Sequence, residues 1–367
     1  MNICEHCIND ETLKHVIISA GEPGTCDICK KDSQYVYDTE KRSDLTPFFE
    51  QLIRIYQPFE SSYKNVPKSE RMYLQAFVKK AWNIFNDDVN EDQIGYALID
   101  LCPDMYEIDK NLFEGHVFLR NAYNIKYLQE HSLLKNNTWE DFERNIKESN
   151  RFHSNDLNLE ILRNFCSYLK VIYPKGTRFY RSRIGKVEGY KPEEMGAPPV
   201  EYTQDSRVSA KGIRCLYLAD SSETTLYETR AAKYDYVSIG IFELQKDIAI
   251  VDLTQIRNIS PFILPDDGIE ELAVNSGALQ MIDATLGKAV SRSGSQLDYV
   301  PTQYIADYIK SISEHGQQVY QGIQYRSVMH PSGKNLAIFG PDLFKCINVS
   351  VSRIDEISYK TENIGNR

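Results

Sequence analysis

Two periodicities divide this chain. Between residues 43 and 150, apolar positions recur at steps of three and four. Phe48, Leu52, Ile55, Tyr56 and Phe59 share one face, and Tyr73, Leu74, Phe77, Val78, Ala81, Trp82 and Phe85 repeat the arrangement across 70–85. That spacing predicts helices with one buried side. A further long helix is expected over 111–134 and a shorter one over 139–146. Asn90-Glu91-Asp92 supplies a helix start, with acidic groups at the positive end of the helix dipole. From Leu157 the character changes. A helix over 159–169 runs into the turn Tyr173-Pro174-Lys175-Gly176. Short β-rich runs follow at 177–184, 215–219, 236–244, 248–253, 322–325, 335–339 and 347–351, with helices over 223–232 and 302–315 between them. Many short strands with few helices define an α+β region and not a doubly wound one.

Composition narrows the classes. The chain has 367 residues, enough for two domains and a small appendage, and 42 % hydrophobic with 26 % charged residues describes a globular protein. A net charge of −10 and a pI near 5.3 exclude general nucleic-acid binding, which needs a basic surface. A few converging arginines can still hold a small anion. No apolar run reaches the roughly 18 residues of a membrane span. The start, MNICEHCIND, has neither a basic n-region nor an apolar h-region. A soluble, cytoplasmic protein is expected.

The eight cysteines fall into two sets. Cys102, Cys166, Cys215 and Cys346 are scattered among apolar neighbours and are expected as small buried hydrophobes. Cys4-x2-Cys7 and Cys26-x2-Cys29 instead have the spacing of a structural zinc site, each knuckle turning two thiolates toward one ion. Gly24 gives the second knuckle its freedom to turn. A segment of about 40 residues buries too little surface to fold unaided, so metal supplies its stability. His6 lies inside the first knuckle and is an alternative ligand, but four thiolates make the simpler site. With no ligand position left for water, the zinc is structural. The expected organisation is a zinc ribbon over 1–42, a helical domain over 43–156 and an α+β domain with a mixed β-sheet over 157–360.

The polar residues that stand out in the third region sit at strand ends and in turns. Arg178, Arg181 and Arg183 alternate along a predicted strand beside Tyr180. Arg207 lies in the turn from Asp205 to Gly212, and Tyr217 in the apolar run Leu216-Tyr217-Leu218-Ala219. Glu228 follows on the helix begun by Ser221-Ser222-Glu223, where serine suits the N-cap, and Ser327 ends a short strand. Each alone has a bland reading. Together they resemble RES-domain proteins. The run from Gly176 through Arg181 to Ile184 is similar to the family's opening strand. The run from Arg207 through Gly212 into Cys215-Leu216-Tyr217-Leu218-Ala219-Asp220 follows in the family's order. Thr224-Thr225-Leu226-Tyr227-Glu228-Thr229-Arg230, Asp298-Tyr299-Val300-Pro301-Thr302-Gln303-Tyr304 and Tyr325-Arg326-Ser327 complete the resemblance, from about Tyr173 to Val351. The arginine, glutamate and serine that name the family fall at Arg181 or Arg207, Glu228 and Ser327. One departure is that the family's arginine turn continues Trp/Ala-Asn-Pro, against Val208-Ser209-Ala210 here. The ribbon and helical region resemble the N-terminal module that precedes some RES domains. HEPN-type helical ribonucleases need Arg-x4–6-His; Arg144 with His153, and Arg151 with His153, both miss that spacing, so an interaction or autoregulatory module is expected instead.

The resemblance implies a toxin-like enzyme with an ADP-ribosyltransferase-like fold that degrades NAD. No Gly-x-Gly-x-x-Gly turn is present, so NAD would be handled without the Rossmann grammar, which favours consuming it over hydride transfer. Glu228, Arg207 and Ser327 are the implied catalytic residues, and Arg181, Tyr180 and Tyr217 the implied NAD-binding ones. A carboxylate suits the charge that grows on ribose as nicotinamide leaves, and guanidinium forks suit a pyrophosphate. Water, phosphate or a target's side chain as acceptor separates an NAD glycohydrolase, a phosphorylase and an ADP-ribosyltransferase, and that choice stays open. A non-catalytic, zinc-dependent interaction protein is the remaining alternative. The expected partners are NAD and an antitoxin or immunity protein, with self-association open and no nucleic acid or membrane.

Overall fold

The first forty residues wrap around their cysteines. Strands β1 (Asn2–Cys4), β2 (Glu22–Thr25) and β3 (Asp32–Asp38) pair antiparallel in the order β1-β3-β2. Helix α1 (Glu11–Ala20) starts at Asp10, whose carboxylate accepts the Leu13 N–H at 3.1 Å, and it buries Leu13 and Ile17. Such a cap satisfies a backbone donor that the helix cannot.

Downstream helices are shorter than their periodicity predicts, because a small sheet is threaded between them. The computed structural model describes residues 1–59, 66–135, 137–265, 267–288 and 295–358. Helix α2 (Thr46–Ile53) gives way to strand β4 (Tyr56–Pro58), and Met72–Tyr73 is strand β5, so the helix expected over 70–85 is only α3 (Leu74–Ala81). Helix α4 (Glu91–Leu101) begins at the expected place, with a reciprocal capping box between Asn90 and Gln93, and α5 (Pro103–Ile108) follows. The long helix expected over 111–134 is instead α6 (Lys110–Glu114), strand β6 (His116–Leu119) and α7 (Ile125–His131). Gly115 makes the break: a Cβ there would stand 2.6 Å from the Asn111 carbonyl oxygen. Over four residues an apolar run does not distinguish helix from strand, and here strand pairing in the order β4-β6-β5 decides it. Helix α8 (Trp139–Glu148) matches its expectation.

The chain divides into two compact units. One holds Met1–Trp139, Asn155–Ile161 and Arg257–Gln280; the other holds Glu140–Ser154, Leu162–Ile256 and Met281–Arg367. The expected end of the third region, at 360, lies outside the described residues. After helix α9 (Leu159–Tyr168) come β7 (Lys170–Tyr173), β8 (Arg178–Gly185), β9 (Leu216–Ala219), helix α10 (Ser222–Thr229), β10 (Tyr236–Leu244) and β11 (Ile248–Asp252). Helix α11 (Gly268–Leu286) was not foreshadowed: polar residues and Gly277 interrupt its apolar positions, so no single stripe marks it. Helix α12 (Val300–Ser311), the hairpin β12 (Ser313–Glu314) and β13 (Gln317–Gln318), β14 (Gly322–Arg326), β15 (Lys334–Ile338) and β16 (Phe344–Arg353) complete the order.

Eight of these strands form one sheet, β16-β10-β8-β9-β15-β14-β11-β7. Every neighbouring pair is antiparallel except β11 with β14, which makes the sheet mixed and the class α+β, as expected. Phe179, Leu216, Leu218, Phe242, Leu244, Ile250, Leu336, Ile338 and Phe344 form its core with Met195. Burying one such side chain contributes about 1.5–3 kcal/mol, so this cluster is the principal stabiliser of the sheet.

The sheet has one weak junction. Strand β8 pairs with β10 along its whole length, from Arg178↔Glu243 to Gly185↔Tyr236, but with β9 only at Tyr180↔Ala219. That single pair lies on a row running Tyr325↔Asn335↔Ala219↔Tyr180↔Ile241 across five strands. Residues directly opposite share a face. A small alanine therefore stands among larger polar and aromatic side chains, leaving a hollow in the middle of the row.

Candidate active site and metal centre

The four paired cysteines converge. Sγ–Sγ separations are 3.7 Å for Cys4–Cys7, Cys4–Cys29 and Cys7–Cys26, and all four sulfurs lie within 4.8 Å of one another. Zinc–sulfur bonds of about 2.3 Å in a regular tetrahedron put sulfurs about 3.8 Å apart, so the spacing fits one ion. The Cys26 thiol is pushed down to about 4, chiefly by the Cys7 thiol donating to it and also by backbone N–H groups of Cys29, Cys4 and Ile28. A sulfur so supported is ready to be a thiolate ligand. His6 is outside the cluster: its exposed ring faces Glu5 at 3.3 Å. The cysteines can hold a metal ion with no position left over.

The second site forms over the hollow at the weak junction. Helix α10 crosses β8 there and is fixed at its start by Ser221, whose Oγ accepts the Thr224 N–H at 3.1 Å. It is pinned to β8 by Ser182, whose Oγ donates to the Thr225 carbonyl at 2.8 Å. Glu228 then stands over the sheet. Its Oε1 accepts two hydrogen bonds, from Ser327 Oγ at 2.6 Å and from Asn335 Nδ2 at 2.7 Å. Ser327 is itself fixed, because its Oγ accepts the His330 N–H at 3.0 Å and its one proton is left for Glu228. Glu228 Oε2 has no hydrogen-bond partner among the described residues. Two charge-assisted bonds on one oxygen hold the carboxylate in a single orientation with the other oxygen free.

A cavity of about 290 Å³ opens beside it, lined by Tyr180, Arg181, Tyr217, Glu228, Tyr325 and Asn335, with Ser182 and Thr229 among the rest. Arg181 crosses the junction to donate from a terminal NH to the Tyr217 carbonyl at 3.0 Å, while its Nε is buried without a partner. Burial, reinforced by Arg183, pushes its guanidinium down to about 10. No carboxylate pairs with it among the described residues, so the cavity wall carries an uncompensated cation. An unpaired buried donor costs about 1–3 kcal/mol, which an arriving anion would offset. The Tyr217 hydroxyl is engaged by Ser206 and, at 2.8 Å, by Ser209. Burial raises the Tyr217 and Tyr325 hydroxyls above the ordinary tyrosine value, so both remain neutral.

Of the residues singled out from sequence, Tyr180, Arg181, Tyr217 and Glu228 line one cavity, and Ser327 bonds Glu228 from behind. Arg207 does not line it. Its guanidinium donates to the Leu286 and Lys288 carbonyls at the end of α11, where cationic donors complement the helix dipole. Its turn is organised by Gln303, whose Nε2 donates to the Ser206 carbonyl at 2.9 Å, and by Gly212 at φ +91°. No motif points to Asn335. Its one signal is an amide at the head of the apolar run Leu336-Ala337-Ile338, where a polar side chain needs a buried partner.

A protein-family model described as RES domain matches residues 179–361. No curated protein and no solved structure matches the chain. None of the described helices is long and apolar enough to cross a membrane.

Proposed function

From the premise that this chain belongs to the RES domain family through residues 179–361, we propose that its cavity binds NAD and breaks the bond between nicotinamide and ribose. RES domains are associated with NAD-related, toxin-like proteins. What carries the reading to a reaction is one juxtaposition: a carboxylate with one oxygen held and one free, across a cavity from a cation that has no acidic partner.

The chemistry follows from those charges. As the ribose C1′ to nicotinamide N1 bond breaks, its electron pair goes to the pyridinium nitrogen, nicotinamide leaves neutral, and positive charge spreads over C1′ and the ring oxygen. The free Oε2 of Glu228 accepts from the ribose hydroxyls, and this bond strengthens as the charge grows, which lowers the barrier and not merely the ground state. Ser327 and Asn335 keep the carboxylate aimed. Arg181 takes the pyrophosphate, its remaining N–H donors matching phosphate oxygens. Tyr180 and Tyr217 wall the nicotinamide riboside, and Arg207 acts from a distance by fixing the turn that carries Ser206 and Ser209. An oxygen of water then bonds C1′ and releases its proton to solvent, or an already ionised phosphate oxygen bonds C1′ with no proton to release. The same site would serve transfer to a target's side chain if that oxygen or nitrogen reached C1′ first. Zinc in the cysteine cluster has no part in these steps. The partner that fits such an enzyme is an antitoxin or immunity protein in the same cytoplasm.

The test is NAD consumption by the purified chain, with and without inorganic phosphate, products separated chromatographically. Free ADP-ribose indicates hydrolysis, and ADP-ribose 1″-phosphate appearing only with phosphate indicates phosphorolysis. NAD left intact by a folded, zinc-loaded chain sinks the proposal.

A further inference from the structure

Arg181 and Tyr217 also line a second cavity, of about 250 Å³, whose other walls include Tyr202, Gln204, Asp205 and Ser206. Pockets for small organic ligands span about 300–1,000 Å³, so neither cavity alone reaches that range and the two together do. Arg181 and Tyr217 border both, so a ligand reaching from one cavity into the other would have two lobes and a waist at Arg181. An anionic waist suits the guanidinium there, which has no carboxylate partner among the described residues and an unpaired Nε.

Two features identify the second lobe. Tyr202 is 70 % exposed on the cavity wall and offers an aromatic face of the kind on which a purine stacks. Asp205 uses Oδ1 to accept the Lys211 N–H at 3.1 Å and the Gln303 amide at 3.4 Å, and its Oδ2 has no partner among the described residues. An ionised carboxylate only accepts, so that oxygen suits a pair of sugar hydroxyls and opposes a phosphate in their place.

Resting on the NAD reading above, we propose that the second cavity holds the adenosine half of the dinucleotide and that Asp205 makes the enzyme select NAD over NADP. The adenosine ribose donates its 2′-hydroxyl to Asp205, and the 2′-phosphate of NADP meets the same carboxylate with like charge. Selection then comes from a built-in repulsion as much as from the bond gained.

The experiment compares kcat/KM for NAD and NADP in the full chain, in Asp205→Asn and in Gln204→Arg. Asparagine keeps the oxygen that accepts from Lys211 and removes the charge. The wild type is expected to favour NAD by about tenfold or more, the usual reach of a like-charge clash. Asp205→Asn should bring that preference within about threefold by raising the NADP value. Gln204→Arg adds a cation to the same wall and should raise NADP use above wild type, a gain that misfolding cannot imitate. A wild type that turns over both dinucleotides alike, or variants that keep its preference, overturns the assignment while leaving NAD cleavage intact. Loss of neither dinucleotide in the wild type sinks both.

Discussion

The cysteine cluster and the cavity are both built from convergent polar side chains, yet they finish that convergence oppositely. In the cluster four sulfurs sit at nearly the separations one ion demands, and backbone N–H groups support that of Cys26. Nothing there is left over. In the cavity a carboxylate oxygen, a guanidinium nitrogen and the wall around Ala219 are all unfinished. A protein tolerates incomplete pairing where a ligand completes it, because each orphaned group costs stability until then. Saturation is what a structural metal centre requires, and shortage is what the proposed NAD site requires.

Four experiments test that contrast, the largest effect first. Stripping the metal with a chelator should unfold the ribbon outright, since structural zinc in such modules is worth about 10–16 kcal/mol near neutral pH. One zinc per chain by elemental analysis, followed by loss of amide protection across 1–38 on chelation, would bear this out. An unchanged exchange pattern would mean the cysteines need no metal. Glu228→Gln should lower kcat for NAD by about a hundredfold or more with KM little altered, as for loss of a group acting mainly in the transition state. Near-normal turnover would remove the carboxylate from the mechanism.

Asn335 offers a finer test. Asn335→Ala deletes one of two bonds on Oε1 and should cost about tenfold in kcat, the size of a hydrogen bond to a charged group. Asn335→Asp preserves shape but sets a second anion against Glu228, so it should be worse than alanine, with recovery as the pH is lowered and one carboxyl takes a proton. The titratable and charged groups facing Glu228 across the cavity are Tyr325 from β14, Tyr180 and Arg181 from β8, and Tyr217 from β9. If aspartate outperforms alanine, Asn335 only fills space. The smallest effect is expected at Arg230, which ends α10 at φ +51°. Arg230→Gly should relieve a left-handed conformation by about 1 kcal/mol or less, visible as a small rise in Tm with turnover retained.

How far each site can be read from sequence follows the same contrast. The ribbon's ligands come as two local pairs, so spacing alone declares them. Glu228 receives its bonds from residues 99 and 107 positions away. Ser327 is legible only because its motif follows the family's order, and Asn335, which has no motif, is not legible at all. Arg207 shows the reverse: its motif is present, and its guanidinium lies outside the cavity lining, bonded to the end of α11. Seven of the eight strands of the mixed sheet are legible from composition and turns, and the edge strand β7 (Lys170–Tyr173), lying between a helix and a turn, is not. Nor is the interruption of the helix expected over 111–134, because the pairing of β6 with β4 and β5 acts across space and leaves the local apolar period unchanged.

The sheet is continuous between β8 and β9 through one backbone pair and one arginine side chain. A dinucleotide lying along that seam would act as a strut, tying the two flanks of the sheet through its own phosphates. If the chain cleaves NAD as proposed, loss of nicotinamide would remove one end of the strut while the other stayed anchored. Stiffness would then be highest just before the reaction and fall once nicotinamide departs.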